Sequence, residues 1–203
     1  MRRKGLNGHF GTVRSIALSN DGALALTAGN SHPDQTVKLW DLHRAELIHS
    51  LPEQAEFGGH TALAIVKDRF LTSFNDEIRL WGLESGKELR RIRQETRSSW
   101  FDVRFIDEDA LLAASGEQAW VIGIESGDAN ALATGGSEVL AVAASDSGEV
   151  LAVQYRDSLS LWWHHEGKVE RIHTLETPPG DLFFLQRPPL QFTGDDRLLF
   201  VSP

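Results

Sequence analysis

Four segments of the chain can be laid over one another: VKLWDL around Trp40, IRLWGLESGKEL around Trp81, AWVIGIESGDAN around Ile122 and LSLWWHHEGKVE around Trp162. Their anchors lie 41, 41 and 40 residues apart. A fixed period of this size constrains the fold more than any local signal. Each repeat must be one supersecondary unit that buries its faces on its neighbours.

The repeat is built from strands. Upstream of each anchor stand ALALTAG, RFLTSF, ALLAAS and EVLAVQY, short β-rich runs bounded by Gly, Asn or Asp. Before those come VRSIALSNDG, VRFIDEDA and VLAVAASDSG, with LQFTGDDRLLFVS near the end. A turn acid precedes each anchor (Asp34, Asp76, Glu117, Asp157), and ESG recurs at Glu84–Gly86 and Glu125–Gly127 as a hairpin turn. No long segment shows apolar residues three and four apart between caps, so the chain is expected to be all-β. Units of about four strands that are apolar on both faces are the requirement of a β-propeller blade.

Composition excludes several alternatives. Of 203 residues, 41% are hydrophobic and 24% charged, which suits a packed soluble fold. No apolar run is long enough to cross a bilayer as a helix, and MRRKGLNGHF lacks the apolar core of a secretion signal, so the cytoplasm is the expected compartment. The absence of cysteine rules out disulfides and thiolate metal sites. A net charge of −9 argues against nucleic acid as a partner, since phosphate affinity comes from many Lys and Arg. The basic run Lys87–Arg97 reads as a solvated outer edge strand kept from pairing by its charges.

GH at Gly8–His9 and Gly59–His60, NDG at Asn20–Gly22 and VKLWD ending at Asp41, set within a 41-residue period, resemble the WD-repeat β-propeller family over essentially the whole chain. The resemblance implies blades at approximately 8–51, 52–93, 94–134 and 135–176, with a partial fifth at 177–203, together forming a single propeller of about four and a half blades. It also implies a hydrogen-bonded relay in the first two blades. In the first, Trp40 leads through Thr27 and His9 to Asp34; in the second, Trp81 leads through Thr72 and His60 to Asp76. The donor order is chemically complete, because an indole N–H only donates and a carboxylate only accepts. The second blade departs from the pattern with Trp81-Gly82 and a shorter turn, and the third and fourth lack GH.

Thr27, His9 and Asp34 also match a nucleophile, base and orienter. A satisfied relay between strands leaves no oxyanion donors and no room for substrate, so it reads as structural and no catalytic residue is expected. His164 and His165 are neighbours on an extended strand and point to opposite faces, so no metal site is expected there. No phosphate-cradling or cofactor motif occurs.

Blade-end loops are the expected binding surface, since rigid strands display them. The candidates are Phe10, His32, Phe74, Arg97, Trp100 and Tyr155, of residue types that anchor interfaces or fill space between blades. The expected function is a non-enzymatic scaffold that presents these loops to a protein partner. The alternatives are a propeller enzyme or small-molecule binder using the central channel, or the sensor part of a larger signalling protein. Inner strands reading VRSIALS and VLAVAAS carry few polar groups, which disfavours the enzyme. Because the fifth unit stops after its second strand, three accounts fit: a portion of a larger propeller with a complementary half, closure by self-association, or a compact five-blade ring.

Overall fold

The computed structural model describes residues 8–29, 34–51, 62–93, 99–132, 137–176, 190–193 and 197–200. Every regular element among them is a strand. Two compact units divide the chain, residues 1–100 and 101–203.

The first unit holds two antiparallel sheets whose strands follow chain order. One comprises β1 (Val13–Leu18), β2 (Leu24–Gly29), β3 (Val37–Asp41) and β4 (Glu46–Leu51). The other comprises β5 (Leu63–Val66), β6 (Arg69–Phe74), β7 (Glu77–Gly82) and β8 (Glu88–Arg93). In the second unit, β9 (Asp102–Phe105), β10 (Ala110–Ser115), β11 (Gln118–Gly123) and β12 (Ala129–Leu132) form a third sheet. A fourth holds β13 (Val139–Ala144), β14 (Val150–Tyr155), β15 (Ser158–His165) and β16 (Lys168–Glu176). The pair β17 (Leu190–Phe192) and β18 (Leu198–Phe200) completes the set.

The repeats extend to atomic detail in the turns. Gly86 and Gly127, the glycines of the two ESG motifs, both have positive φ, and each donates its N–H to the carbonyl of Gly82 or Gly123 at 2.8 and 2.9 Å. Left-handed backbone of this kind costs a side-chain-bearing residue energy that glycine avoids. The β1–β2 and β13–β14 turns match likewise. Ser19 and Ser145 each accept, through the side-chain oxygen, the N–H five residues on, Leu24 at 2.9 Å and Val150 at 3.0 Å.

Middle strands are the most buried. β10 is buried along its whole length, and β2, β6 and β14 over most of theirs. Within the first unit, Leu26, Leu39 and Leu51 of the first sheet meet Leu63, Phe70 and Trp81 of the second. Within the second, Leu112, Ala114 and Val121 meet Val142, Leu151, Val153 and Trp162. Ala143, Ala152 and Leu159 then pack on Leu190 and Phe192.

The anchor tryptophans coincide with bulges in the outer strands. Opposite Trp40, Trp81 and Trp162 the register slips by one residue, and Ile48, Leu89 and Ile172 are the extra residues. β11 carries Ile122 in place of Trp, and its pairing with β12 runs without a shift. A bulge tightens the local twist and re-aims side chains. It also spoils the exposed edge as a template for pairing.

Candidate functional site

The relay of the first blade is assembled from the loop before β1, from β2, from the residue opening the β3 approach and from β3 itself. Trp40 Nε1 donates to Thr27 Oγ1 at 2.8 Å. Thr27 Oγ1 lies 2.8 Å from His9 Nε2 and 3.4 Å from the Lys38 carbonyl. His9 Nδ1 lies 2.9 Å from Asp34 Oδ2. The carboxylate can only accept, so Nδ1 carries the proton, and the shorter Thr27 contact directs its hydroxyl proton to Nε2. Every member then has a partner, in one direction from indole to carboxylate.

Asp34 gathers more than the histidine. Phe10 N–H donates to Oδ2 at 2.7 Å, and the Thr36 hydroxyl and N–H donate to Oδ1 at 2.6 and 3.2 Å. Burial alone raises the Asp34 pKa. The hydrogen bonds from Thr36 and Phe10, with the field of His9, outweigh it and hold the group at about 2. Thr36 was not singled out by sequence reasoning, although the short Asp34-Gln35-Thr36 spacing is the signal of a side chain bonding its own turn.

In the second blade Trp81 Nε1 donates to Thr72 Oγ1 at 3.0 Å, with both residues buried. His60 lies outside the described residues, as do His32 and Arg97. Asp76 takes part through its backbone carbonyl, which accepts the Trp100 indole N–H at 3.0 Å. Its neighbour Glu77 is held by three arginines. Its carboxylate accepts from Arg79 at 2.6 and 2.8 Å and from Arg93 at 2.6 and 2.8 Å, with Arg91 at 3.7 Å. Burial pushes the Glu77 pKa up, and the Arg79 and Arg93 hydrogen bonds bring it below the usual range. The basic strand β8 is therefore only partly a solvated face: Arg91 and Arg93 reach across to a buried carboxylate that lies 14 and 16 residues earlier.

Register explains the third and fourth blades. Thr27 pairs with Lys38 and Thr72 with Arg79, two places along from the Trp pairing; the equivalent residues are Ala113 and Val153. With Val153 there, Trp162 Nε1 is buried and has no hydrogen-bond partner among the described residues. Arg171 sits over the Trp162 ring at 5.8 Å. The Tyr155 hydroxyl is likewise buried without a partner, and burial pushes its pKa up to about 12 against an opposing effect of Arg171.

Of the loop candidates among the described residues, Phe10 is the exposed one. Phe10 is 86% exposed, while its backbone is held by Asp34. Phe74 is half-buried at the end of β6. Trp100 and Tyr155 require correction as contact residues, because both are buried. Trp100 is fastened to the β6–β7 turn by its N–H to the Asn75 carbonyl at 2.7 Å and by its indole to Asp76. Tyr155 fills the junction between the third and fourth sheets.

Hairpin ends of the second unit enclose a groove of about 550 Å³ lined by Asp107, Asp109, Asp128, Glu149 and His165 among others. Among the described residues, no group of three or more His, Asp or Glu is placed to hold a metal ion. No helix of the described residues is long and apolar enough to cross a membrane.

These features define a β-propeller of four-stranded antiparallel blades. A crystal structure of the Myceliophteria thermophila Cps50 (Swd1) β-propeller domain superposes with a TM-score of 0.74 at 18% identity, over 95% of this chain and 63% of that one. Residues 2–41 match the family WD domain, G-beta repeat. It is 29% identical over 94 residues to the small ribosomal subunit protein RACK1 of Caenorhabditis elegans, covering 45% of this chain and 27% of that protein. It is also 29% identical over 98 residues to RACK1y of Oryza sativa subsp. japonica, covering 47% and 27%. The matched stretch thus spans about a quarter of the length of these curated relatives.

Proposed function

We propose that the chain is a non-enzymatic protein-interaction scaffold of the cytoplasm, working by rigid display of its blade-end loops. The observation that carries this reading is the pairing of Phe10 with Asp34. The exposed aromatic ring stands on a backbone whose N–H is fixed at 2.7 Å by the terminal acid of the relay. An anchor held in place before docking loses little entropy on binding, and aromatic residues carry much of the energy of protein interfaces. The relay thereby serves display and not chemistry. WD propellers as a family mediate protein–protein contact, and the two relatives are proteins of the small ribosomal subunit, an assembly in which a propeller has neighbours to bind.

Affinity capture from the source cell with the wild-type chain and with Phe10→Ala tests the reading. The wild type is expected to retain a protein that Phe10→Ala loses, while the thermal transitions of both coincide. Identical captures would remove Phe10 display as the mechanism.

A further inference from the structure

The arginines set about Glu77 do not recur at the equivalent places of the other blades. Arg79 stands two residues before the anchor Trp81 and pairs with Arg91. By the same count the pairs elsewhere are Lys38 with Ser50, Trp120 with Ala131, and Ser160 with Thr174, whose hydroxyls lie 3.1 Å apart. Quite different residues serve the fold at this place. Three guanidinium groups gathered there are not a requirement of blade stacking.

Their geometry leaves one edge of two guanidinium groups to a ligand. Arg93 grips Glu77 Oε1 through Nε and Nη2 at 2.8 and 2.6 Å, and Arg91 grips Glu88 through Nε and Nη2 at 2.9 Å each. Arg91 Nη1 stands 3.7 Å from Glu77 Oε1, beyond hydrogen-bond reach. A guanidinium presents two donor forks. Among the described residues, the hydrogen bonds of both arginines use the Nε–Nη2 fork, so the Nη1–Nη2 fork is left for an acceptor. The Arg93 side chain is 64% exposed and that of Arg91 37%. Glu77 is itself fixed through Oε2 by Arg79 at 2.6 and 2.8 Å, so Arg93 is braced before any ligand arrives and loses little freedom on binding.

Charge selects the ligand. Three guanidinium groups face the carboxylates of Glu77 and Glu88, a surplus of one positive charge. It lies in the unit that is not acidic: residues 1–100 hold 14 Lys and Arg against 12 Asp and Glu, and residues 101–203 hold 6 against 17. A surplus of one is matched by a carboxylate, whereas a phosphomonoester brings about −1.5 to −2 and nucleic acid one charge per nucleotide. We propose that Arg91 and Arg93 form a docking point for an Asp or Glu side chain of a partner protein, a contact surface distinct from the Phe10 loop.

Nitrogen-15 NMR of the full chain, following the arginine Nε–H signals, tests this with a Gly/Ser peptide carrying Glu residues as the probe. Saturable shifts of the Arg91 and Arg93 signals are expected, with half-saturation below about 1 mM, and none with Gln in place of Glu in the peptide. Arg91→Gln and Arg93→Gln are each expected to raise the Kd at least about fivefold, since each removes one charged fork. Arg44→Gln, at an exposed arginine of the first blade, should leave it unchanged. Raising salt from about 50 to about 300 mM should weaken binding. If Arg93→Gln melts below wild type, Arg91→Gln carries the comparison, because it leaves the hydrogen bonds of Arg79 and Arg93 to Glu77 in place. No saturable shift, equal binding of the Gln peptide, variants that bind like wild type, or tighter binding of a peptide with phosphoserine in place of Glu would overturn the proposal. Phe10→Ala should leave the titration unchanged, which separates this surface from loop display.

Discussion

Tyr155 in the fourth blade stands at the register position that Gly29 holds in the first. Gly29 pairs with Val13 and Tyr155 with Val139, and in both sheets the next pair follows a one-residue slip. A β-carbon on Gly29 would collide with the Asp34 carbonyl oxygen and lie 3.1 Å from His9 Nδ1. The first blade has a histidine in that space and needs glycine beside it. The fourth has no GH histidine, and a tyrosine stands in the register place of the glycine.

Gly29→Ala is therefore expected to destabilise the first unit by about 2 kcal/mol or more, since a backbone carbonyl cannot give way as a flexible side-chain tip can. Chemical denaturation of wild type and variant measures it. An unchanged midpoint would mean that the His9–Asp34 geometry tolerates displacement.

Val153→Thr is expected to stabilise the chain by about 0.5–1 kcal/mol, by placing a hydroxyl where Thr27 and Thr72 stand and giving Trp162 Nε1 an acceptor. For a chain of this length that corresponds to a rise of about 2–4 °C per kcal/mol in the melting temperature. Calorimetry of the variant checks this. A fall would show that the hydroxyl finds no partner there and carries only its burial cost.

Asp34 makes stability depend on pH in a definite window. Its pKa is depressed to about 2 in the folded chain, so its contribution is fully present above the unfolded carboxylate value of about 3.9 and is lost as pH falls toward about 2. The linkage amounts to about 2 kcal/mol. Denaturation curves of wild type and Asp34→Asn between about pH 5 and about pH 2 should converge at the acidic end if this group carries the effect. Parallel curves would assign the acid sensitivity elsewhere.

Glu77→Ala leaves Arg79 and Arg93 facing each other without their shared carboxylate. We expect a loss of about 2–3 kcal/mol, below the usual cost of breaking a fully buried pair because the Arg93 head is largely in solvent. Glu77→Gln retains an acceptor and should lose less. Equal losses would show that packing, and not charge, is what Glu77 contributes.

Much of the fold was legible because it is periodic. The recurring Trp, ESG and GH signals specify strand order, turn chemistry and the four-stranded unit, and these depend on local backbone preference and on alternation along the strand. The relay of the first blade was legible by resemblance, through residue types that can only donate or only accept. Trp100 and Tyr155 were misplaced as contact residues because an aromatic ring near a loop has the same signature whether it anchors a partner or fills a junction. Glu77 was overshadowed by the acid beside it: the register that sets Arg79, Arg91 and Arg93 about one carboxylate becomes apparent only when β7 and β8 are paired.

The sequence by itself determined the repeat, the all-β class and the chemistry of the anchor residues, since each follows from spacing and residue type along one chain. Tertiary structure alone decided which faces are covered. Ile16, Leu63 and Val142 are equivalent apolar residues on equivalent strands, and nothing local distinguishes them. Their exposures differ because burial is set by the neighbouring sheet, a property of packing between segments distant in the chain.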